Sequence, residues 1–121
     1  MVSGRDLYYT MAHNEIWTGK EAEKVGNKGK GRVCARRACF FAIDFWLEFN
    51  EHKKWGESAM SYLKNTALDQ ELPQKIRDAA SRLTERVNQF FEVSNDIDPL
   101  ADAELMVEYF LDKKNLYNKG K

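Results

Sequence analysis

The feature that most constrains the fold is an apolar segment in the first half of the chain. Ten of the twelve residues at positions 38–49 are apolar, and the two exceptions, Asp44 and Glu48, lie one helical turn apart. A helix that is apolar around most of its circumference is packed against other elements on several sides. We therefore predict a helix over about 31–53 that forms the centre of a helical bundle.

The polar residues of this central helix fall on one narrow stripe, which also includes Arg37 and Glu51. The helix has more aromatic residues than the core of one small bundle requires. We therefore expect some of them to form an interface between two copies of the chain, and the candidates are Phe41, Phe45, Trp46 and Phe49. Because the aromatics follow the spacing of core residues, the sequence favours packing over stacking on single-stranded nucleic acid.

Further segments have apolar residues at helical spacing. We predict a first helix at about 4–24, a third at about 57–68, a fourth that starts at Leu72-Pro73 and a fifth that starts at Asp98-Pro99. The fourth has the most regular apolar face, formed by Ile76, Ala80, Leu83, Val87 and Phe90. Both prolines stand where a helix accepts them, in its first turn.

These elements define the fold class. No segment combines strand-like alternation with β-branched residues, so we expect no strands. We predict an all-α, up-and-down helical bundle of four to five helices with short connections. The whole chain, 1–121, forms a single domain, and its basic tail at 113–121 frays.

Composition and charge indicate in which cellular compartment the protein is found and which classes of partner its total charge does not attract. The chain has 121 residues and a formal net charge of zero, so the total charge gives no attraction to nucleic acid or to an anionic membrane. Cys34 and Cys39 are separated by about 140° on a helix, which suits neither a disulfide nor a shared zinc ion. The N-terminus has no signal-peptide core, and the longest apolar stretch is interrupted by charges. We expect a cytoplasmic protein without membrane contact.

Positive charge is concentrated at positions 24–37, which hold six lysines and arginines and no acid. Glycines at 26, 29 and 31 allow backbone amides to face an anion ahead of a helix start. The candidate anion-binding or nucleic-acid-binding residues are Lys28, Lys30, Arg32 and Arg36. The alternative is a solvated connector between two helices. A P-loop is excluded because Arg32-Val33 stands where that motif requires Lys-Ser/Thr.

Few residues suggest catalysis. His13 and His52 lie in separate predicted helices without a histidine or cysteine at metal-ligand spacing, so we expect no metal site and no cofactor. Asp44 and Glu48 are the best carboxylate pair, but a polar stripe that pairs with arginines or faces solvent explains them as well. We expect Arg37 to form a structural ion pair with an acid of a neighbouring helix.

The stretch at 36–47, which reads RRACFFAIDFWL, resembles the central helix of HEPN-type domains. That helix commonly has arginine, alanine, two aromatics and small residues, and then a polar residue among apolar ones. The resemblance implies a bundle of four to five helices that is often dimeric. Family members include RNA-cleaving toxins, partners of nucleotidyltransferases and inert binding modules.

The active nucleases of that family carry an arginine, four to six residues and then a histidine. This chain departs from the pattern, because seven residues separate Arg5 from His13 and fourteen separate Arg37 from His52. Asp44 also stands where some relatives carry histidine. The resemblance therefore implies a relative without the ribonuclease activity.

The sequence favours a non-catalytic, HEPN-like binding or interaction module that forms a homodimer. Its basic segment would contact RNA, a nucleotide or an acidic protein surface. Two other classes stay open: a metal-independent RNase of the toxin type with an unrecognised active site, and a structural subunit of a larger assembly.

Overall fold

The computed structural model describes residues 4–85 and 98–117, and every regular element in these ranges is a helix. The elements are α1 (Gly4–Lys24), α2 (Lys28–Leu47), α3 (Ala59–Leu68), α4 (Gln74–Thr84), α5 (Pro99–Phe110) and α6 (Lys113–Tyr117). Helix α2 packs against α1, α3 and α5, and α5 also contacts α1 and α4. The predicted all-α helical bundle is confirmed. In the described ranges, no helix has both the length and the apolar character needed to cross a membrane.

The connection from α1 to α2 is shorter than predicted. Gly26 has a φ of 84°, a left-handed conformation that favours glycine, and it turns the chain at the end of α1. Asn27 then caps α2, because its side-chain Oδ1 accepts a 3.0 Å hydrogen bond from the backbone N–H of Lys30. Helix α2 therefore begins at Lys28 instead of Gly31, and the later glycines are helical rather than part of a loop.

Helix α2 also ends earlier than predicted, at Leu47 instead of Lys53. The carbonyl groups at a helix end need partners outside the helix. Asn50, which is 1% exposed, supplies one of them, since its Nδ2 donates a 2.9 Å hydrogen bond to the carbonyl of Trp46. The side chain of Asn50 thus caps the end of α2.

Side-chain caps fix the starts of α3 and α5. Ser58 and Ser61 form a capping box at the start of α3, in which each side chain bonds to the backbone N–H of the other residue. The side chain of Asp98 accepts hydrogen bonds of 3.1 and 3.2 Å from two backbone N–H groups in the first turn of α5, where Pro99 has no N–H that would need an acceptor. The predicted Asp98-Pro99 start is confirmed.

The predictions for the fourth helix and for the tail had different outcomes. Helix α4 buries Ile76, Ala80 and Leu83 as predicted, whereas Val87 and Phe90 lie outside the described residues. The tail was expected to fray from position 113, but it begins with α6. Leu116 in this helix is 2% exposed and joins the core, which explains why the first part of the tail is ordered. Residues 118–121 lie outside the described part of the chain.

The core lies between α2, α3, α4 and α5. Its largest fully buried side chains include Ile43, Leu63, Ile76, Leu83, Met106 and Phe110. Beside them, Arg82 of α4 donates two hydrogen bonds, of 2.8 and 3.0 Å, to the carboxylate of Asp102 in α5. This bidentate geometry fixes the register of α4 against α5.

Candidate functional site

The outward stripe consists of exposed or half-buried residues on one side of α2 together with its C-cap residue: Lys30, Val33, Arg37, Phe40, Phe41, Asp44 and Glu48. Their spacings of three, four and seven residues place them on one side of a helix. Val33 is 52% exposed, although the rest of this helix is largely core. The inward side consists mainly of small residues that are 5% exposed or less, namely Cys34, Ala35, Ala38, Cys39 and Ala42. Helix α2 therefore presents a continuous surface on one side only.

Two tyrosines from neighbouring helices meet the stripe at Asp44. The hydroxyl of Tyr62 in α3 donates a 2.7 Å hydrogen bond to one carboxylate oxygen, and the hydroxyl of Tyr8 in α1 donates a 3.4 Å bond to the other. Burial raises the pKa of Tyr62 most, and the hydrogen bond to Asp44 raises it further. The ring of Phe40 stacks on Tyr62 at 5.1 Å, and Phe41 contacts Phe40 edge-on at 5.9 Å. The centre of the stripe is thus aromatic and held in place from both sides.

The four aromatic residues predicted to form a subunit interface divide into two pairs. Phe45 is 7% exposed and Trp46 is 2% exposed, so neither offers a surface to a second copy, and the prediction is corrected for both. The helical period turns them inward, where Trp46 contacts Phe110 of α5 at a ring distance of 4.9 Å. Phe41 is half-buried on the outward stripe, and Phe49 is 40% exposed just beyond the end of α2.

The lysines of the cationic segment lie at the surface. Lys28 and Lys30 are exposed in the first turn of α2. Lys24, at the end of α1, forms an ion pair of 3.1 Å with Glu21 one turn earlier. Lys28 and Lys30 are therefore the two predicted anion-binding residues whose charges face solvent.

An acid also stands at this helix start. Glu23 of α1 packs against α2 so closely that a Cβ built on Gly31 would lie 2.7 Å from its Cγ. Burial and the charge of Asp98 raise the pKa of Glu23, whereas the charge of Lys28 lowers it. The absence of a side chain at Gly31 thus serves the contact between α1 and α2, and the carboxylate of Glu23 weakens the positive field at the start of α2.

The arginines of the same segment are directed into the protein. Arg32, which is 7% exposed, donates to the backbone carbonyls of Arg82, at 3.2 Å, and of Glu85. Arg36 donates to the carbonyl of Leu83 at 2.8 Å and to that of Glu85 at 3.2 Å. Since these carbonyls end α4 and have no partner inside that helix, both guanidinium groups cap its C-terminus. The prediction that Arg32 and Arg36 face an anion together with the lysines is corrected.

Three other sequence expectations can be compared with the structure. Arg37 forms an ion pair of 3.4 Å with Glu15 of α1, so its predicted structural pairing is confirmed. His52 is exposed in the turn after α2. Cys39 is fully buried, and burial raises the pKa of its thiol. Among the residues that the structure describes, no three His, Cys, Asp or Glu side chains are arranged to hold a metal ion.

Sequence reasoning missed a cluster of polar residues between α1 and α5, which consists of Arg5, Tyr9, His13 and Glu108 and is called the seam cluster below. The hydroxyl of Tyr9 donates a 2.7 Å hydrogen bond to Oε1 of Glu108, and Nε2 of His13 lies 3.1 Å from the same oxygen. The guanidinium of Arg5 lies 4.7 Å from the centre of the Tyr9 ring. The hydrogen bond to Glu108 raises the pKa of Tyr9 most.

The sequence pattern indicates the residues that α1 contributes to this cluster, but not their partner in α5. Arg5, Tyr9 and His13 are spaced by four residues, which places them on one side of α1. Their partner, Glu108, is ninety-five residues beyond His13 and is brought near by the packing of α5.

Comparison of the chain with protein-family models, with curated proteins and with solved structures finds no match in any of the three. The resemblance to HEPN-type domains therefore stays a prediction. Three surfaces can support a function: the outward stripe of α2, the pair of exposed lysines at its start, and the seam cluster.

Proposed function

We propose that this protein is a non-catalytic, HEPN-like interaction module that self-associates as a homodimer through the outward stripe of α2. The observation that carries the proposal is the position of apolar side chains on that stripe: Val33 is 52% exposed, and Phe40 and Phe41 are half-buried. Apolar side chains that remain in water on a central helix indicate a contact with another protein surface. Burial of such area contributes about 25 cal/mol per Å².

The rigidity of the stripe supports this proposal. Phe40 is stacked on Tyr62, and the carboxylate of Asp44 is held by tyrosines from α1 and α3. Side chains that are already fixed lose little rotamer freedom when a partner binds, so more of the contact energy remains as affinity.

The exposed lysines at the start of α2, of which Lys30 also belongs to the outward stripe, give the module a second contact site. Lys28 and Lys30 lie in the first turn of α2, where the helix dipole also favours an anion. The contact would be with RNA, a nucleotide or an acidic protein surface. It would be weak, because Arg32 and Arg36 are engaged with α4 and because Glu23 lies at the same helix start.

Light scattering after gel filtration tests the self-association. We expect the protein at tens of micromolar to have about twice the mass of one chain. Val33→Glu should give a monomer, since it places a charge in the apolar part of the interface. The matched control is Leu68→Glu, because Leu68 is 76% exposed at the end of α3, away from the stripe.

A wild-type monomer at this concentration would exclude the homodimer. If the Val33→Glu variant is still a dimer, the interface does not lie on the outward stripe. Circular dichroism of both variants shows whether each remains folded.

A second function is favoured by one observation, the seam cluster. A carboxylate and an imidazole at one place can accept and donate protons, and an adjacent guanidinium can stabilise a phosphorane. In RNA cleavage, Glu108 would accept the proton of a ribose 2′-hydroxyl as it attacks the neighbouring phosphorus, and protonated His13 would donate to the leaving 5′-oxygen. Trp17, 65% exposed and one turn from His13, offers a surface on which a base can stack.

The two histidines provide a matched pair for testing this activity. If the seam cluster cleaves RNA, the wild-type protein and His52→Ala should produce 2′,3′-cyclic phosphate ends in the presence of a chelator, and His13→Ala should not. Intact RNA with the wild-type protein would eliminate this second function. Equal cleavage by His13→Ala would attribute the activity to a different site or to a contaminant.

A further inference from the structure

The charged residues of the outward stripe change sign from one end to the other. The half toward the N-terminus carries Lys30 and Arg37, and the half toward the C-terminus carries Asp44 and Glu48. Phe40 and Phe41 stand between the two halves. Glu51, which is exposed in the turn after the helix, continues the acidic half. The stripe is therefore basic at one end, aromatic in the middle and acidic at the other end.

We propose that the partner of this stripe is the same stripe of a second copy, packed antiparallel around a two-fold axis between Phe40 and Phe41. This inference rests on the proposed self-association and adds its geometry. In a two-fold interface the same patch faces itself, so residue i meets residue j of the partner and j meets i. An axis at the aromatic centre places the basic half of each copy against the acidic half of the other.

The spacing of the charged residues along α2 allows individual residues of the two copies to be paired. Arg37 and Asp44 are equally far from the midpoint between Phe40 and Phe41, so Arg37 faces the partner's Asp44. By the same symmetry, Val33 faces the aliphatic stem of the partner's Glu48. The four phenylalanine rings of the two copies meet at the axis, where aromatic pairs add about 0.5–1.5 kcal/mol beyond area burial.

The outer ends of the two stripes pair in the same way. Lys30 faces the partner's Glu51, and the symmetric contact repeats at the other end. Exposed pairs of this kind contribute little affinity each, about 0–1 kcal/mol, but they decide which orientation is allowed.

The charge order argues against the other arrangements. A parallel pair of stripes would set Arg37 against Arg37 and Asp44 against Asp44, and like charges in direct contact oppose association. An unrelated partner of one sign, such as an acidic peptide, would be attracted by one half of the stripe and repelled by the other. Of the candidates, only a surface with the reversed order matches along the whole length, and a second copy has that order by symmetry.

The contacts inside each chain are compatible with this pairing. Arg37 is 61% exposed while it contacts Glu15 at 3.4 Å, so its guanidinium retains donors that can reach the partner. Asp44 accepts one hydrogen bond on each oxygen, and a carboxylate has about four acceptor positions. The pairs across the axis thus add to the internal contacts instead of replacing them.

Two charge-reversed variants test the geometry. The first, Lys30→Glu/Arg37→Glu, makes the whole stripe acidic, and the second, Glu48→Lys/Glu51→Lys, makes most of it basic. Each alone should associate at least tenfold more weakly than the wild type at low salt, because the copies repel one another at both ends. Mixed in equal amounts, they should form a heterodimer that is tighter than either variant alone but weaker than the wild type. The contacts between positions 30 and 51 are then between opposite charges at both ends, and only one of the two contacts between positions 37 and 44 joins like charges.

The matched control for the first variant is Lys75→Glu/Lys113→Glu, which changes the net charge by the same amount at exposed positions of α4 and α6. Sedimentation equilibrium of the single and mixed samples gives the dissociation constants. Failure of the mixture to associate better than either variant alone, with the wild type dimeric, would overturn the antiparallel arrangement and leave self-association standing. A monomeric wild type would overturn both.

Discussion

Among the six cations of the segment at 24–37, two arginines and two lysines have opposite environments. Arg32 is 7% exposed, and it and Arg36 donate to backbone carbonyls at the end of α4. Lys28 and Lys30 are exposed in the first turn of α2. In the sequence the four residues look alike, as cations of one short segment that also contains three glycines. The difference shows that a run of positive charge does not by itself define a ligand site.

The chemistry of the two side chains explains the division. A guanidinium is planar and presents several N–H donors in a fixed fork, so one group can reach two carbonyls at once. Both arginines use this property on the same acceptor, the carbonyl of Glu85, and each also has an acceptor of its own. A lysine ammonium is compact and strongly hydrated, which favours a position in solvent.

The largest expected effect is from Arg32→Ala. The change removes a buried guanidinium together with its hydrogen bonds to the carbonyls of Arg82 and Glu85, so we expect a loss of about 2–3 kcal/mol in the free energy of unfolding. Lys30→Ala, two residues away in the same helix and exposed, should change it by less than about 0.5 kcal/mol. Urea unfolding followed by circular dichroism measures both. Equal effects of the two substitutions would abolish the distinction between arginines and lysines.

An intermediate effect is expected from Arg36→Ala. Arg36 is half-buried, so water can partly replace it, and we expect a loss of about 1 kcal/mol in the same measurement. Because Arg36 and Arg32 share the carbonyl of Glu85, the double variant should deviate from the sum of the single variants by about 0.5 kcal/mol or more. Strict additivity would show that the two arginines stabilise α4 independently.

The smallest expected effect on stability, and the only one on ligand binding, concerns the lysines. Lys24→Ala/Lys28→Ala lies away from the outward stripe and should leave unfolding within about 0.5 kcal/mol of the wild type. If the helix start contacts single-stranded RNA, the slope of log affinity against log salt should fall by about one unit or more. Titrations at several salt concentrations measure this slope. A slope that does not depend on these lysines would place any RNA contact elsewhere.

The predictions that succeeded depend on local signals. The apolar segment at 38–49 indicated the central helix, and Asp98-Pro99 marked the start of α5, because a cap and a first-turn proline act within one turn. The expected ion pair of Arg37 with a neighbouring helix followed from its position on a polar stripe. The predicted start of α2 is too late because the glycines at 29 and 31 indicated a loop, whereas the side chain of Asn27 caps a helix that includes both of them.

The features that were missed depend on contacts between distant parts of the chain. The seam cluster needs Glu108 beside His13, and the capping of α4 needs Arg32 beside Glu85, more than fifty residues away. Leu116 makes the start of the tail helical through burial, although its neighbours are polar. None of these partners can be identified from spacing along one helix.

The sequence by itself determined that this protein is built of helices around one apolar central helix, because hydrophobic periodicity, caps and prolines act over a few residues. It also determined the order of charges along α2, since seven residues make almost two turns of a helix. Only the tertiary structure decided which of these residues remain at the surface. Arg32, Phe45 and Trp46 became internal and Lys30, Arg37 and Phe41 stayed on the outward stripe, because exposure depends on where α1, α4 and α5 pack.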